Sequence, residues 1–275
     1  MDATVGRALA SPHRRLLTVT ANESLGAYRL LRVADPDGPP PDPGQFAMLA
    51  TAERWGGGED ERPYLARAFS VARVRDGEAH YLLEDVGPGT RRLCELAPGE
   101  GVLALGPLGH GFSPPHEDRR ALLVGGGVGI APLAILQDKF TATAVAHAVL
   151  LGFRDAPHAA GAALLSDAIL ATDDGSVGHA GLVTDLLAAE LRRDGHAVVY
   201  ACGPAPMLEA VRALCAARET PAQLALEAGM ACGFGACYGC AVPTRNGGYV
   251  RVCIDGPVLE GGELEHVDAH AGAPA

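Results

Sequence analysis

Four cysteines fall within one short stretch of the chain: Cys232, Cys237 and Cys240 share a single loop, and Cys253 follows. Their spacing is C-x4-C-x2-C-x12-C, with Gly233, Gly235 and Gly239 set between the thiols. Sulfurs this crowded hold either an iron–sulfur cluster or zinc. The opening C-x4-C-x2-C is the spacing of a [2Fe–2S] loop, although the gap to the fourth cysteine is shorter here. The glycines fit that use, because a loop wrapped around inorganic sulfide needs backbone N–H groups at close range and no Cβ in the way. Structural zinc normally takes two separated C-x2-C pairs. Here three cysteines crowd one loop and one stands apart, so zinc is kept as the open alternative. Disulfides need an oxidising compartment, to which nothing in the sequence points.

A chain of 275 residues has room for two or three cores. Its formal charge of −11 excludes nucleic acid as an expected partner. The start, Met1-Asp-Ala-Thr-Val-Gly-Arg7, lacks a basic region ahead of an apolar one, so no secretory signal is expected. The most apolar stretch, residues 121–136, contains four glycines and a proline and reads as strand, turn and helix, not as a membrane span. The expected location is therefore the cytoplasm. In that reducing compartment seven cysteines signal metal or redox chemistry. Cys94, Cys202 and Cys215, outside the cluster motif, are expected to be small buried apolar side chains.

The order of apolar runs gives the architecture. Runs at residues 15–20, 28–33, 46–50, 69–74, 81–86 and 102–105 are separated by turn-rich segments, among them residues 35–44 and 55–60. This predicts six strands in a small antiparallel barrel or sandwich, with a helix over residues 90–96 capped by Thr90. From Arg120 strands and helices alternate: strands at 121–124, 145–152, 168–172 and 197–202, helices after residue 132 and at 182–193 and 204–217. That alternation predicts a parallel nucleotide-binding sheet. After Arg218 it stops. Short strands at 223–226 and 249–254 are expected to flank the cysteine loop in a small unit that depends on its cluster to fold. The tail from residue 265 is expected to fray. The expected fold is multidomain β plus α/β: a barrel over residues 1–113, an α/β domain over 114–219 and a cluster domain over 220–275.

Several shorter motifs fall at the edges of these elements. Gly125-Gly-Gly-Val-Gly-Ile-Ala-Pro132, between strand and helix, offers free N–H groups of the kind that bind a dinucleotide pyrophosphate, with a plain tight turn as the alternative. In Arg67-Ala-Phe-Ser70, Arg67 can clamp a pyrophosphate and Ser70 can reach a flavin ring; alone, this is equally an ordinary strand end. Gly89-Thr90 offers a second phosphate contact or merely a cap. Cys202-Gly-Pro204 closes a parallel strand at its carboxyl edge, where open α/β sheets bind ligands. His110, His147, His179 and His196 lack metal-ligand spacing, and Asp173-Asp174 reads as a turn.

Taken in order, Arg67-Ala-Phe-Ser70, Gly89-Thr90, Gly106-Pro-Leu-Gly-His-Gly-Phe112, Gly125 to Pro132 and Cys202-Gly-Pro204 resemble the ferredoxin–NADP reductase superfamily. Cys232 to Cys240 and Val252-Cys-Ile-Asp-Gly-Pro-Val258 resemble, more narrowly, the electron-transfer subunits of NAD-dependent dihydroorotate dehydrogenase B. The resemblance spans residues 14–264. It implies an FAD-binding barrel, an NAD-binding domain and a [2Fe–2S] domain. It places Arg67 on the FAD pyrophosphate and Ser70 by the flavin ring, with Ala68 and Phe69 lining the same site. Leu82, Leu83, Glu84, Gly89 and Thr90 would be further FAD contacts. Gly125, Gly126, Gly127, Gly129, Cys202, Gly203 and Pro204 would face NAD, and Cys232, Cys237, Cys240 and Cys253 would ligate the cluster. Relatives often carry proline and an aliphatic residue, or tyrosine, where Ala68 and Phe69 stand. Arg154 falls near the expected adenosine ribose and leaves NAD or NADP open by itself; the family implies NAD.

No side-chain nucleophile is implied. A catalytic FMN-containing dihydroorotate dehydrogenase subunit would oxidise dihydroorotate in pyrimidine biosynthesis, two copies of each chain forming a heterotetramer. Electrons would pass singly through the cluster to FAD, and FAD would give hydride to NAD+. The rivals are a sister reductase subunit of the sulfide dehydrogenase or ferredoxin:NADP oxidoreductase type, where aspartate commonly replaces Cys232, and a zinc-stabilised docking module without catalysis.

Overall fold

The computed structural model describes residues 14–56, 63–116 and 119–267. The amino-terminal start, most of the 55–60 turn and the end of the tail lie outside them.

The first unit is built from β1 (Arg14–Leu25), β2 (Tyr28–Ala34), β3 (Phe46–Thr51), β4 (Arg67–Ser70), β5 (Arg73–Arg75), β6 (Glu78–Leu83) and β7 (Gly101–Leu108), with helix α1 (Pro88–Cys94). Strand order is β4-β3-β7-β1-β2-β6-β5, so seven strands replace the expected six. The apolar run 69–74 is two strands, not one. β4 pairs with β3 at one end of the order and β5 with β6 at the other. Between them the Val71 N–H donates to Gln45 O at 3.1 Å and the Ala72 N–H to His80 O at 2.9 Å. Two residues thus carry the chain from one end of the strand order to the other and curl the sheet into a barrel-like form, with β4 and β5 joined through the chain and not by pairing. In β7, buried residues alternate with less buried ones, the pattern of a strand with one face on a core. Helix α1 begins after Gly87, not at Thr90. Thr90 is its third residue, and its hydroxyl accepts from the N–H groups of Val86 and Gly87 at 2.9 and 3.1 Å.

The second sheet contains β8 (Arg120–Gly126), β9 (His147–Phe153), β10 (Ala168–Thr172), β11 (His179–Ala180), β12 (Ala197–Cys202) and β13 (Ala222–Ala225), all parallel, in the order β11-β10-β9-β8-β12-β13. β8 is central and buried on both faces, which is why Ala121-Leu-Leu-Val124 shows no alternation. Burial of Leu122 and Leu123, both fully enclosed, contributes about 1.5–3 kcal/mol each. Helices α2 (Ala131–Ala142), α3 (Ala156–Ala159), α4 (Val183–Arg193) and α5 (Ala205–Ala216) accompany the sheet. α4 buries Val183, Leu187 and Leu191, a stripe at helical spacing. Pro204 caps α5 from outside its first turn.

β13, expected beside the cysteine loop, instead extends the central sheet, parallel to β12. After the cysteine segment, which contains the hairpin β14 (Ala241–Pro243) and β15 (Tyr249–Arg251), the chain returns as β16 (Val258–Glu260), antiparallel to β13. The loop core is continuous with its surroundings: Cys240, Val252 and Cys253 belong to one apolar cluster with Leu224 of β13 and Phe46 and Met48 of β3. Between barrel and sheet, Arg73 donates to both carboxylate oxygens of Asp138 at 2.6 and 2.9 Å, a paired geometry that fixes orientation as well as distance. Of the three remaining cysteines, Cys202 and Cys215 are buried and Cys94 is half-buried. No helix among the described residues is long and apolar enough to cross a membrane.

Candidate functional site

Where barrel and sheet meet, a cavity of about 450 Å³ is lined by Arg67, Ala68, Phe69, Ser70, Leu82, Glu84 and Thr90 from the barrel side. Val128, Gly129 and Cys202 line it from the sheet, and Leu226 to Ala231 form a further wall. Strand β4 and the end of β6 thus supply most of the residues expected to touch FAD. Leu83 is the exception: it is fully buried in the barrel core, because neighbouring strand residues face opposite ways. Gly89 acts by what it lacks. A Cβ there would lie 2.7 Å from Arg67 Nε and 2.8 Å from Cζ, so the glycine makes room for the guanidinium. The Thr90 hydroxyl is occupied within its own turn, also donating to Gly87 O at 3.0 Å.

A second cavity of about 460 Å³ lies over the carboxyl ends of the parallel strands, lined by Gly126, Gly127, Gly152, Arg154, Pro204 and Met207, among others. Such strand ends are where open α/β sheets take ligands. Gly127 has φ 55°, a left-handed conformation that glycine adopts without cost. Gly125, Gly129 and Gly203 are spacers. A Cβ on Gly129 would come within 2.6 Å of Gly203 backbone atoms, and one on Gly125 within 3.0 Å of Ile130, Leu133 and Leu151. Gly129 also reaches the first cavity, as does Cys202.

The two cavities share Glu84, Val128 and Glu227. Glu227 keeps solvent-exposed surface, yet the protein packed around its carboxyl, and then the charge of Glu84, raise it above its ordinary range. Burial, and then Glu227, likewise holds the Cys202 thiol well above its usual value, so it stays a neutral thiol. The sequence reading assigns Glu227 no role; the usable signal is an acid at the carboxyl end of an apolar strand. It also missed His158. That ring is buried beside Tyr28 in an edge-on contact, 5.5 Å between centroids, and no local motif announces it.

The four cysteines follow directly from the wall of the first cavity. Gly233 and Gly235 have φ 77° and 84°, and Tyr238 is left-handed at 59°, which curls the loop. Backbone N–H groups point at sulfur: Ala236 to Cys232 Sγ at 3.3 Å, Gly239 to Cys237 Sγ and Cys253 to Cys240 Sγ at 3.5 Å. The thiols form two pairs. Cys240 and Cys253 sulfurs are 3.2 Å apart, and the Cys237 thiol is close enough to Cys232 to favour its ionisation. Burial opposes ionisation of Cys232, but N–H donors from Phe234, Cys237 and Ala236 bring it down to about 7. Burial and the Cys240 thiol push Cys253 up to about 12. Two pairs with N–H donors fit two irons holding two thiolates each. Among the described residues no three potential ligands converge as a single ion requires.

Barrel, parallel sheet and cysteine loop together define a class, the ferredoxin-reductase-like oxidoreductases with an added cysteine module. The chain aligns with a chain of the NADH-dependent reduced ferredoxin–NADP oxidoreductase structure at TM-score 0.75 and 23% identity, covering 92% of this chain and 90% of that one. The ferredoxin reductase of carbazole 1,9a-dioxygenase aligns at TM-score 0.66 and 20% identity, over 77% and 68% of the two chains. Sequence narrows the class. Residues 227–265 match the iron–sulfur cluster binding domain of dihydroorotate dehydrogenase B. The dihydroorotate dehydrogenase B (NAD(+)) electron transfer subunit of Geobacillus thermodenitrificans is 39% identical over 81% of this chain and 86% of its own. An Aquifex aeolicus homologue of that subunit is 36% identical over 84% and 90%. The chain belongs to this family of electron transfer subunits and is an oxidoreductase component.

Proposed function

We propose that the chain carries electrons from a catalytic partner subunit to NAD+, through a [2Fe–2S] cluster and FAD, as part of an NAD-dependent dihydroorotate dehydrogenase. One observation carries the reading: Leu226 to Ala231 line the first cavity and run without interruption into Cys232, while Glu84, Val128 and Glu227 separate that cavity from the second. Two cavities therefore share a wall, and the cysteine loop begins where the wall of the first one ends.

Cys232, Cys237, Cys240 and Cys253 hold the cluster. Arg67 takes the FAD pyrophosphate, Ser70 faces the flavin ring, and Ala68, Phe69 and Leu82 enclose it with Met230 and Leu226. Gly126, Gly127 and the backbone entering α2 receive the pyrophosphate of NAD, with Pro204 as the opposite wall. When bound, FAD exchanges single electrons with the cluster and hydride with NAD. The protein's part is position and charge: apolar side chains line much of the flavin cavity, and Glu227, its carboxyl held above the ordinary range, stands at the wall between the two sites. Cys237 is exposed, with Phe234 and Tyr238 exposed beside it; this open side of the loop is where the partner's FMN is placed. The partner is the FMN-containing subunit, in a cytoplasmic heterotetramer with two copies of each chain.

Purified without oxygen, the chain should hold about two irons, two acid-labile sulfides and one FAD. Cys237→Ser should lose the cluster absorbance and electron flow from the partner, while NADH oxidation by an artificial dye persists. Zinc without flavin in the purified chain, or cluster absorbance surviving the substitution, would overturn the assignment.

A further inference from the structure

Arg154 follows the second parallel strand, a place where an arginine accommodates an adenosine 2′-phosphate and an acid takes the ribose 2′-hydroxyl. Here the two types are adjacent, Arg154 and Asp155, and geometry distinguishes their roles. Arg154 lines the second cavity with its side chain 64% exposed. Its Nη2 lies 3.3 Å from Glu84 Oε1, which reaches across from the barrel. Its Nε lies 3.6 Å from Asp155 Oδ2 and 3.2 Å from His158 Nδ1. Asp155 is itself fixed: Oδ1 accepts from the His158 backbone N–H at 3.0 Å and lies 2.5 Å from ring Nδ1. Hydrogen bonds from His158 hold its carboxyl below the usual range. Asp173 lines the same cavity. One guanidinium thus stands among several carboxylates, two of them in ion-pair range.

We propose that Glu84 and Asp155 make this chain select NAD over NADP by neutralising Arg154. The guanidinium is held by two carboxylates, so a 2′-phosphate arriving at this rim gains no free cation and meets negative charge. Without those carboxylates the same arginine would serve the phosphate, because a planar guanidinium binds phosphate through paired donors. The proposal rests on the second cavity being the NAD site.

The test uses the cofactor-loaded chain and two adenosine fragments, 5′-AMP and 2′,5′-ADP, with binding measured by calorimetry. Glu84→Gln with Asp155→Asn should raise the affinity ratio of 2′,5′-ADP to 5′-AMP about tenfold or more at low salt, and less at high salt. Dye-linked oxidation of NADPH relative to NADH should rise with it. Adding Arg154→Ala should return the ratio towards that of the unaltered chain. Asparagine keeps the cap of α3, so Asp155→Asn alone should show about a threefold change even if Glu84→Gln loosens FAD. Ala210→Trp, at an exposed lining position, narrows the cavity and should weaken both fragments. An unchanged ratio in the double variant, with Ala210→Trp still weakening both, overturns the selectivity proposal alone. If neither fragment responds to Ala210→Trp, the cavity is not the nucleotide site and both readings fall.

Discussion

Adding one methyl group at Gly89 should separate flavin affinity from fold stability. The new Cβ would lie 2.7 Å from Arg67 Nε, 2.8 Å from Cζ and 3.0 Å from Nη2, closer than carbon and nitrogen can stand. The guanidinium must move, and it can, because it is the free end of a long side chain beside an open cavity. Gly89 lies in helix α1 with no left-handed φ, so alanine fits the backbone and favours the helix by up to about 1 kcal/mol. In the flavin-bound protein the displaced guanidinium loses a charge-assisted bond to phosphate, about 1.5–3 kcal/mol. At 1.4 kcal/mol per decade, the Kd for FAD should rise about 10- to 100-fold. Flavin fluorescence on titration measures that, and a thermal melt of the flavin-free chain should show Tm unchanged or slightly raised. A cycle with Arg67→Ala completes the test: once Arg67 is gone, Gly89→Ala should cost little more. A Kd within about twofold of the unaltered chain, or a further full decade lost in the Arg67→Ala background, would refute the spacer role.

Gly129 should behave in the opposite way. There the added Cβ meets Gly203 backbone atoms at 2.6 Å, which cannot swing aside, so Gly129→Ala should lose about 1–3 kcal/mol in denaturant unfolding; unchanged stability would show that the two loops separate freely. Glu227 gives a pH signature. Its folded carboxyl titrates above its unfolded value, so it binds more protons when folded and weakens the fold as pH rises from the unfolded value through the folded one. Glu227→Gln should therefore raise the Tm of flavin-free protein at neutral pH, with the gain vanishing as pH falls through the ordinary carboxylate range; a gain independent of pH would remove burial as its cause.

Much of this was legible because local chemistry and final environment agree. The all-apolar run Ala121-Leu-Leu-Val124, short and followed at once by glycines, reads as a strand covered on both faces leading through a turn into a helix, and it is one. The crowded thiols at Cys232, Cys237 and Cys240 carry their chemistry in their spacing. What escaped depends on partners distant in sequence. The apolar run from Phe69 to Val74 has no internal mark of its break at Val71 and Ala72, because the break is a change of neighbours from Gln45 to His80. The segment at Ala222 to Ala225 has the look of any short strand, and its place beside β12 is decided by the sheet. Leu83 was within reach: if Leu82 and Glu84 face the cavity, strand parity sends Leu83 the other way. His158 and Glu227 are single residues whose roles arise only where barrel and sheet touch.

The cysteine segment leaves the central sheet from β13 and returns as β16, its hydrogen-bonded neighbour. Its two ends are therefore anchored side by side, about 4.8 Å apart as neighbouring strands are. An insertion with adjacent endpoints can be exchanged for another without rerouting the host chain. A redox centre of different potential, grafted so that Leu226 to Ala231 and the apolar contacts to Phe46 and Met48 are kept, should leave barrel and sheet folded. The redox loop can be swapped at its paired ends, but its first residues stay behind, because they are also the wall of the flavin cavity.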